Sequence, residues 1–97
     1  MGLWNKPEEK VTKQLEILNK NGLHARPCTK FVKLAGLFKS EIWVEKDSEL
    51  ANGKSILGLM TLAAGHGSIV KVTCEGPDAS AALEAVEKLI AGKFDED

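Results

Sequence analysis

A histidine and an arginine stand two positions apart in the stretch GLHARP, residues 22–27. The apolar spacing that follows predicts a helix beginning at about Ala25, which places His24 at the helix N-terminus. The first backbone N–H groups of a helix have no partners within it, and they carry partial positive charge. An imidazole, a guanidinium and free amides together favour an anion site, for example one for phosphate.

His24 also offers covalent chemistry. A neutral imidazole nitrogen is a competent nucleophile near neutral pH, and its phosphorylated form has a weak P–N bond that can pass the group onward. Serine would instead give a stable ester. The planar donor fork of Arg26 can stabilise phosphate charge. An isolated histidine is more simply a surface or capping residue, so the rest of the chain must support the chemistry.

A second helix start, led by a serine, is also a candidate site. Ser55 precedes ILGLMTLAA, residues 56–64, where its hydroxyl can act as the N-cap of a short helix. A phosphate on Ser55 would be tolerated there electrostatically. Ile56 and Leu57 are adjacent, so they cannot both turn inward together with Met60. We therefore expect exposed apolar surface of the kind that transient partners bind.

The elements that position these residues follow the order βαββαβα. Strands are predicted over residues 11–18, 40–47, 48–53 and 68–76, and helices over 25–37 and 56–64, with a last helix after Asp78 whose apolar stripe runs from Ala82 to Ile90. This pattern implies one antiparallel sheet with three helices on one face, with the strand order left open. Trp43 alternates with Ile42 and Val44 and should lie on the opposite face. Gly36 stands where a left-handed residue often ends a helix.

The ends of the chain carry simpler expectations. Residues 1–9 are expected to form a flexible tail before a domain over residues 10–97; whether Trp4 docks on that domain is left open. Asp78 is expected to cap the last helix. The polar end GKFDED, residues 92–97, is expected to be frayed.

Composition excludes several classes of protein. The 97 residues suit one domain, and a formal net charge of -1 gives no general attraction to nucleic acid or anionic membrane. No stretch is long and apolar enough for membrane insertion, and the N-terminus has no secretory h-region. Cys28 and Cys74 are expected to be free thiols in a reducing cytoplasm, with a disulfide as the alternative. A pair of His24 and Cys28 is too few ligands for a metal, so we expect neither metal nor cofactor.

GLHARP, the element order and the stretch GKSILGLMTLAAG resemble HPr, the histidine-containing phosphocarrier family of the bacterial phosphotransferase system. The resemblance runs from about Lys10 to Phe94. It implies an α+β fold, an open-faced β-sandwich with a four-stranded antiparallel sheet covered by three helices. It also implies a stoichiometric phosphoryl carrier with a phosphohistidine intermediate rather than a conventional turnover enzyme.

The resemblance assigns roles to individual residues. His24 would accept a phosphoryl group on Nδ1 from Enzyme I and pass it to an Enzyme IIA domain, with Arg26 beside the phosphate. Ser55 matches the serine that an HPr kinase/phosphorylase modifies in some bacteria. The docking surface would comprise Ile56, Leu57 and Met60. We expect the helix N-termini at His24 and Ser55 to lie side by side.

Several alternatives stay open. The stretch AAGHGS and the acidic end after Phe94 favour the nitrogen-related branch, NPr, whereas GLHARP with KSILGLMTL suits the sugar-transport branch. A regulatory docking module of the same family is the alternative function, although His24 and Arg26 argue against it as the sole role. We further expect a cytoplasmic monomer.

Overall fold

The computed structural model of the protein describes residues 8–96. Its elements are β1 (Glu9–Glu16), α1 (Ala25–Ala35), β2 (Glu41–Lys46), β3 (Glu49–Asn52), α2 (Ile56–Thr61), β4 (Ile69–Gly76), α3 (Ala79–Ala91) and a 3-10 turn (Lys93–Asp95). The predicted βαββαβα order is confirmed. The first strand begins at Glu9, the last residue of the predicted tail, and Trp4 lies outside the described residues. The longest described helix, α3, has 13 residues, and no described helix meets the length and apolarity needed to cross a membrane.

The four strands form one antiparallel sheet in the order β1-β4-β2-β3. The last strand in the chain, β4, therefore lies between β1 and β2, while β2 and β3 form a hairpin. One row across the sheet joins Thr12, Thr73, Trp43 and Asn52. This is the open-faced sandwich that the family resemblance implied.

The core lies between the helices and one face of the sheet. In β2, Ile42 and Val44 are buried while Trp43 between them is only half-buried, because alternate side chains point to opposite faces. The prediction that Trp43 occupies the other face is confirmed. The largest buried side chains include Phe31 of α1, Leu59 of α2 and Val86 of α3.

The first helix begins and ends on local signals. Pro27 lies in its first turn, where a missing N–H costs little. Its buried residues include Phe31 and Ala35, which are four apart and therefore share a face. The expected left-handed end at Gly36 is wrong: its φ is -66°, and its N–H donates to the carbonyl oxygen of Val32 at 2.9 Å, so the helical turn continues through it.

Asp78 occupies the predicted N-cap position of α3, but its side chain makes no capping hydrogen bond to that helix. The carboxylate instead accepts hydrogen bonds from the backbone N–H groups of Lys39 and Ser40, both at 2.9 Å, and from the Ser40 hydroxyl. The Ser40 Oγ in turn accepts from the Asp78 N–H at 3.2 Å. The residue therefore joins the start of α3 to the loop between α1 and β2.

The C-terminal segment is held by a buried aromatic ring, and for residues 92–96, which the structure describes, the prediction of a frayed end is wrong. Phe94 is fully buried, and the Lys30 Nζ donates to its carbonyl oxygen. Lys93, Phe94 and Asp95 have φ values of 57°, 56° and 58°, in the left-handed region that non-glycine residues rarely adopt. Burial of an aromatic side chain offsets the cost of such a backbone.

Candidate functional site

His24 lies at the N-cap of α1 with an extended backbone, φ -85° and ψ -171°. Its ring makes no capping hydrogen bond, and 41% of the side chain is exposed to solvent. The carbonyl oxygen accepts from the Cys28 N–H at 3.1 Å, which starts the helix. The backbone of His24 therefore serves the fold, while its imidazole stays accessible.

The loop before His24 is pinned against the loop after α2. Gly22 has a φ of 66°, and a Cβ there would come within 2.4 Å of the Ala64 carbonyl oxygen. The Leu23 N–H donates to that same oxygen at 2.8 Å. A shallow pocket of about 220 Å³ lies at this junction, lined by Asn21, Leu23, His24, Ala63, Ala64 and Gly65. The glycine of GLHARP is thus needed for a close approach between two backbones.

A carboxylate that sequence reasoning missed faces the histidine. Both oxygens of Glu96 lie near the His24 Nε2, at 3.2 and 3.1 Å. The buried Asn19 donates from Nδ2 to Glu96 Oε1 at 3.0 Å and to the Gly22 carbonyl oxygen at 2.8 Å. The sequence signal was Phe94, a large apolar residue in a polar end, which is typical of a buried anchor.

The Glu96 carboxylate is charged in this setting. Burial alone would raise its pKa, and 10% of the side chain is exposed. Hydrogen bonds from Asn19 and His24, together with the charges of His24 and Arg26, outweigh burial, so the net effect lowers the pKa of Glu96. An ionised Glu96 can only accept, so Nε2 carries the proton whenever the imidazole is in its neutral form. That tautomer leaves the Nδ1 lone pair free.

The donors for an anion lie at the first turn of α1. Arg26 is exposed, and its guanidinium makes no hydrogen bond or ion pair with any residue from 8 to 96. Pro27 has no N–H, and the Cys28 N–H is taken by the His24 carbonyl, which leaves the amides of Ala25 and Arg26. The predicted anion donors are therefore present and unused.

Ser55 caps α2 as predicted, because its Oγ accepts from the Gly58 N–H at 3.0 Å. The apolar residues that follow divide between core and surface. Leu57 is 78% exposed, Met60 40% and Ile56 38%, while Leu59 is fully buried. The expectation that helical spacing cannot bury all of these side chains is confirmed.

The expectation that the two helix N-termini lie side by side is wrong. The loop at Gly22 contacts Ala64, after the C-terminal end of α2. At the other end, a Cβ on Gly53 would touch the ring of Phe31, halfway along α1. It is therefore the C-terminal end of α2 that lies next to the loop before His24, while Ser55 lies at the other end of α2.

The cysteines are free and buried, as the simpler interpretation predicted. The Cys28 thiol donates to the Leu23 carbonyl oxygen at 3.5 Å, and burial raises its pKa to about 11. Since the thiolate is the reactive form, Cys28 is inert near neutral pH and acts as a packing residue behind the histidine.

The fold and the site together define a class of protein: a small α+β domain that presents an accessible histidine beside unused anion donors, as a phosphocarrier requires. The family described as "PTS HPr component phosphorylation site" matches residues 11–92. The chain therefore belongs to the HPr family of the phosphotransferase system. This match ends before Phe94 and Glu96, so the C-terminal turn lies outside it.

Individual relatives agree with the family. The chain is 48% identical to phosphocarrier protein HPr of Neisseria meningitidis, over 89% of this chain and 97% of that protein. It is 50% identical to the HPr-like protein Crh of Halalkalibacterium halodurans, over 78% and 90% of the two chains. It is 42% identical to phosphocarrier protein NPr of Shewanella violacea, over 90% and 96%.

Solved structures confirm the fold and bear on assembly. A crystal structure of HPr from Thermoanaerobacter tengcongensis superposes with a TM-score of 0.84 at 48% identity, covering 92% of this chain and 98% of that one. A second structure from that organism, described as an HPr dimer, has a TM-score of 0.71 at 50% identity, covering 82% and 92%. The expectation of a monomer is therefore not confirmed.

Proposed function

We propose that the protein carries phosphoryl groups in the phosphoenolpyruvate-dependent phosphotransferase system, accepting them on His24 from Enzyme I and passing them to an Enzyme IIA domain. The observation that carries this proposal is the half-exposed imidazole of His24, whose Nε2 faces the ionised Glu96. A ring nitrogen Nε2 held by Glu96 would leave Nδ1 as the nucleophile, which supports the atom that the family resemblance names.

The transfer needs only one bond to form and one to break. The Nδ1 lone pair attacks phosphorus while the P–N bond to the histidine of Enzyme I breaks, and the electron pair of that bond returns to the donor imidazole. Positive charge develops on the His24 ring, and the Glu96 carboxylate at 3.1 Å from Nε2 stabilises it. The reverse exchange delivers the group to the next carrier, so the protein acts stoichiometrically.

The phosphate itself would be held by the first turn of α1. The guanidinium of Arg26 supplies paired donors, and the amides of Ala25 and Arg26 point toward the same helix end. These groups stabilise negative charge without moving a proton. Arg26 therefore serves as a phosphate-binding residue rather than an acid or base.

Partner proteins would dock on the exposed side chains of Ile56, Leu57 and Met60. Phosphorylation of Ser55 by an HPr kinase/phosphorylase would add close to two negative charges at the start of this surface. Since Ser55 lies at the far end of α2 from His24, the added charge would oppose docking of an acidic partner rather than cover the histidine. We propose that the domain acts as a cytoplasmic monomer in these exchanges.

The experiment that tests the carrier function uses phosphoenolpyruvate, a cognate Enzyme I and the full chain. We expect an acid-labile, base-stable phosphoryl group that is lost in His24→Ala. His66 is the other histidine of the chain and is exposed, so His66→Ala is the matched control and should be labelled fully. Label that survives in His24→Ala, or none in the wild type with active Enzyme I, would overturn the proposal.

A regulatory docking role is the second candidate, favoured by the capping serine next to an exposed apolar surface and by the similarity to Crh. Incubation with ATP and a cognate HPr kinase should then label Ser55. Ser55→Ala should abolish the label, while Ser48→Ala, which changes an exposed serine of the β2–β3 turn, should keep it. Full labelling of Ser55→Ala would rule out this site.

A further inference from the structure

The face of the sheet opposite the helices carries a groove of about 370 Å³ that no described element covers. It is lined by Lys10, Thr12, Trp43, Glu45, Leu50, Lys71, Thr73 and Glu75. The half-buried Trp43 and the 63% exposed Leu50 give it an apolar part, surrounded by charged side chains. Apolar surface with a charged rim is typical of a docking site.

One end of this groove has an excess of negative charge. Glu41 and Glu75 are direct partners across β2 and β4, and like charges in that position repel. Neither carboxylate forms an ion pair within residues 8–96. On the β1 side, Glu75 is paired with Lys10, so one cationic side chain faces the two carboxylates of Glu41 and Glu75. A further cation at this edge would stabilise the sheet.

The chain itself supplies a segment with matching chemistry. The seven residues before the described part are MGLWNKP, which contain three large apolar side chains, Met1, Leu3 and Trp4, and one cationic side chain, Lys6. Pro7 has no N–H to donate to a strand ladder, and Glu9 already pairs with Gly76, the last residue of β4. Continued pairing along β1 therefore offers the segment no partner strand.

The segment before β1 is long enough to reach Trp43. Trp43 lies two strands across from β1 and three residues along from Glu9, the first paired residue of β1, a separation of about 14 Å between the two Cα atoms. Five residue steps separate Trp4 from Glu9, which allow up to about 17 Å of extended chain. The excess leaves room for the chain to turn over the edge of the sheet.

We propose that residues 1–7 fold back over the open face of the sheet. Leu3 and Trp4 cover Trp43 and Leu50, and Lys6 lies beside Glu41 and Glu75. The outer face of the sheet is then occupied by the protein's own chain. Partners are left with the opposite side of the domain, where His24 and α2 lie.

The test is fluorine NMR on the full chain labelled with 5-fluorotryptophan. The chain has two tryptophans, so two resonances are expected, assigned with Trp4→Phe and Trp43→Phe. We expect a nuclear Overhauser effect between the two rings, and a shift of the Trp43 resonance when Leu3→Ser and Trp4→Ser are combined. Asn5→Ser, a polar exchange in the same segment, is the control and should leave the Trp43 resonance in place.

A charge exchange tests the proposed contact between Lys6 and the carboxylates of Glu41 and Glu75. Lys6→Glu should shift the Trp43 resonance in the same direction as loss of the apolar residues, and adding Glu75→Lys should restore it. A Trp43 resonance that is identical in the wild type and the Leu3/Trp4 double variant would overturn the proposal. A shift that depends on protein concentration would also overturn it, because a second copy would then cover the face.

Discussion

Truncation of Phe94 discriminates an anchored C-terminus from a frayed one. The ring is fully buried, and Phe→Ala at such a site costs about 3–5 kcal/mol. Part of this loss is returned where the turn comes free and the left-handed backbone within Lys93–Asp95 relaxes; we subtract about 1 kcal/mol, the lower value for one strained residue. We therefore expect Phe94→Ala to lower the free energy of unfolding by roughly 2–4 kcal/mol.

Thermal and urea unfolding measure this change. A domain of this size loses about 4–8 °C of Tm per kcal/mol, so a drop of roughly 10–30 °C is expected. Leu37→Ala, at a position 76% exposed, is the matched control and should stay within about 0.5 kcal/mol of wild type. Phe94→Leu keeps most of the apolar volume and should lose clearly less than the alanine variant. Equal stability of Phe94→Ala and Leu37→Ala would refute the anchoring argument.

Three further predictions concern a close backbone contact, the pKa of a carboxyl group and the tautomer of His24. Gly22→Ala should cost about 1–3 kcal/mol in urea unfolding, because its φ is 66° and the added Cβ meets a carbonyl oxygen at 2.4 Å. Gly65→Ala has open space and should be neutral; equal effects would contradict the contact. Asp78 has its pKa lowered from 3.8 to about 2 by the Ser40 hydroxyl and the Lys39 amide. Its stabilisation is therefore complete above pH 4 and is lost as the pH falls toward 2. In Asp78→Asn, the urea midpoint should change less between pH 4 and pH 2 than it does in the wild type. An equal change in both proteins would refute this. Glu96→Ala should remove the acceptor of the His24 Nε2–H. Nitrogen NMR should then show a mixture of the two neutral tautomers in place of one. An unchanged tautomer population would show that Glu96 does not determine it.

The sequence predicted those parts of the structure that depend on local chemistry. The element order follows from apolar periodicity, and Ser55 caps α2 as its position before an apolar run indicates. His24 lies at the start of α1 because the helical spacing begins directly after it. These features need only near neighbours in the chain, so a single sequence can reveal them.

The features that sequence reasoning missed depend on contacts between distant segments. Asp78 has the residue type and position of a cap, yet the loop at Lys39 and Ser40 supplies better donors for its carboxylate. The direction of α2 relative to α1 is likewise set by packing, which periodicity cannot reveal. The expectation of adjacent helix N-termini failed for that reason, and with it the idea that Ser55 lies beside the histidine.

The C-terminal turn links stability to chemistry. Phe94 enters the core, and two residues later Glu96 reaches the His24 ring, so the burial of one side chain positions the other. Asn19 connects the same carboxylate to the Gly22 carbonyl, which belongs to the loop that holds the histidine. A change in the core at Phe94 should therefore alter the hydrogen bonding of the His24 imidazole, although Phe94 itself serves only packing. Loss of the turn should free Nε2 even where the rest of the fold survives.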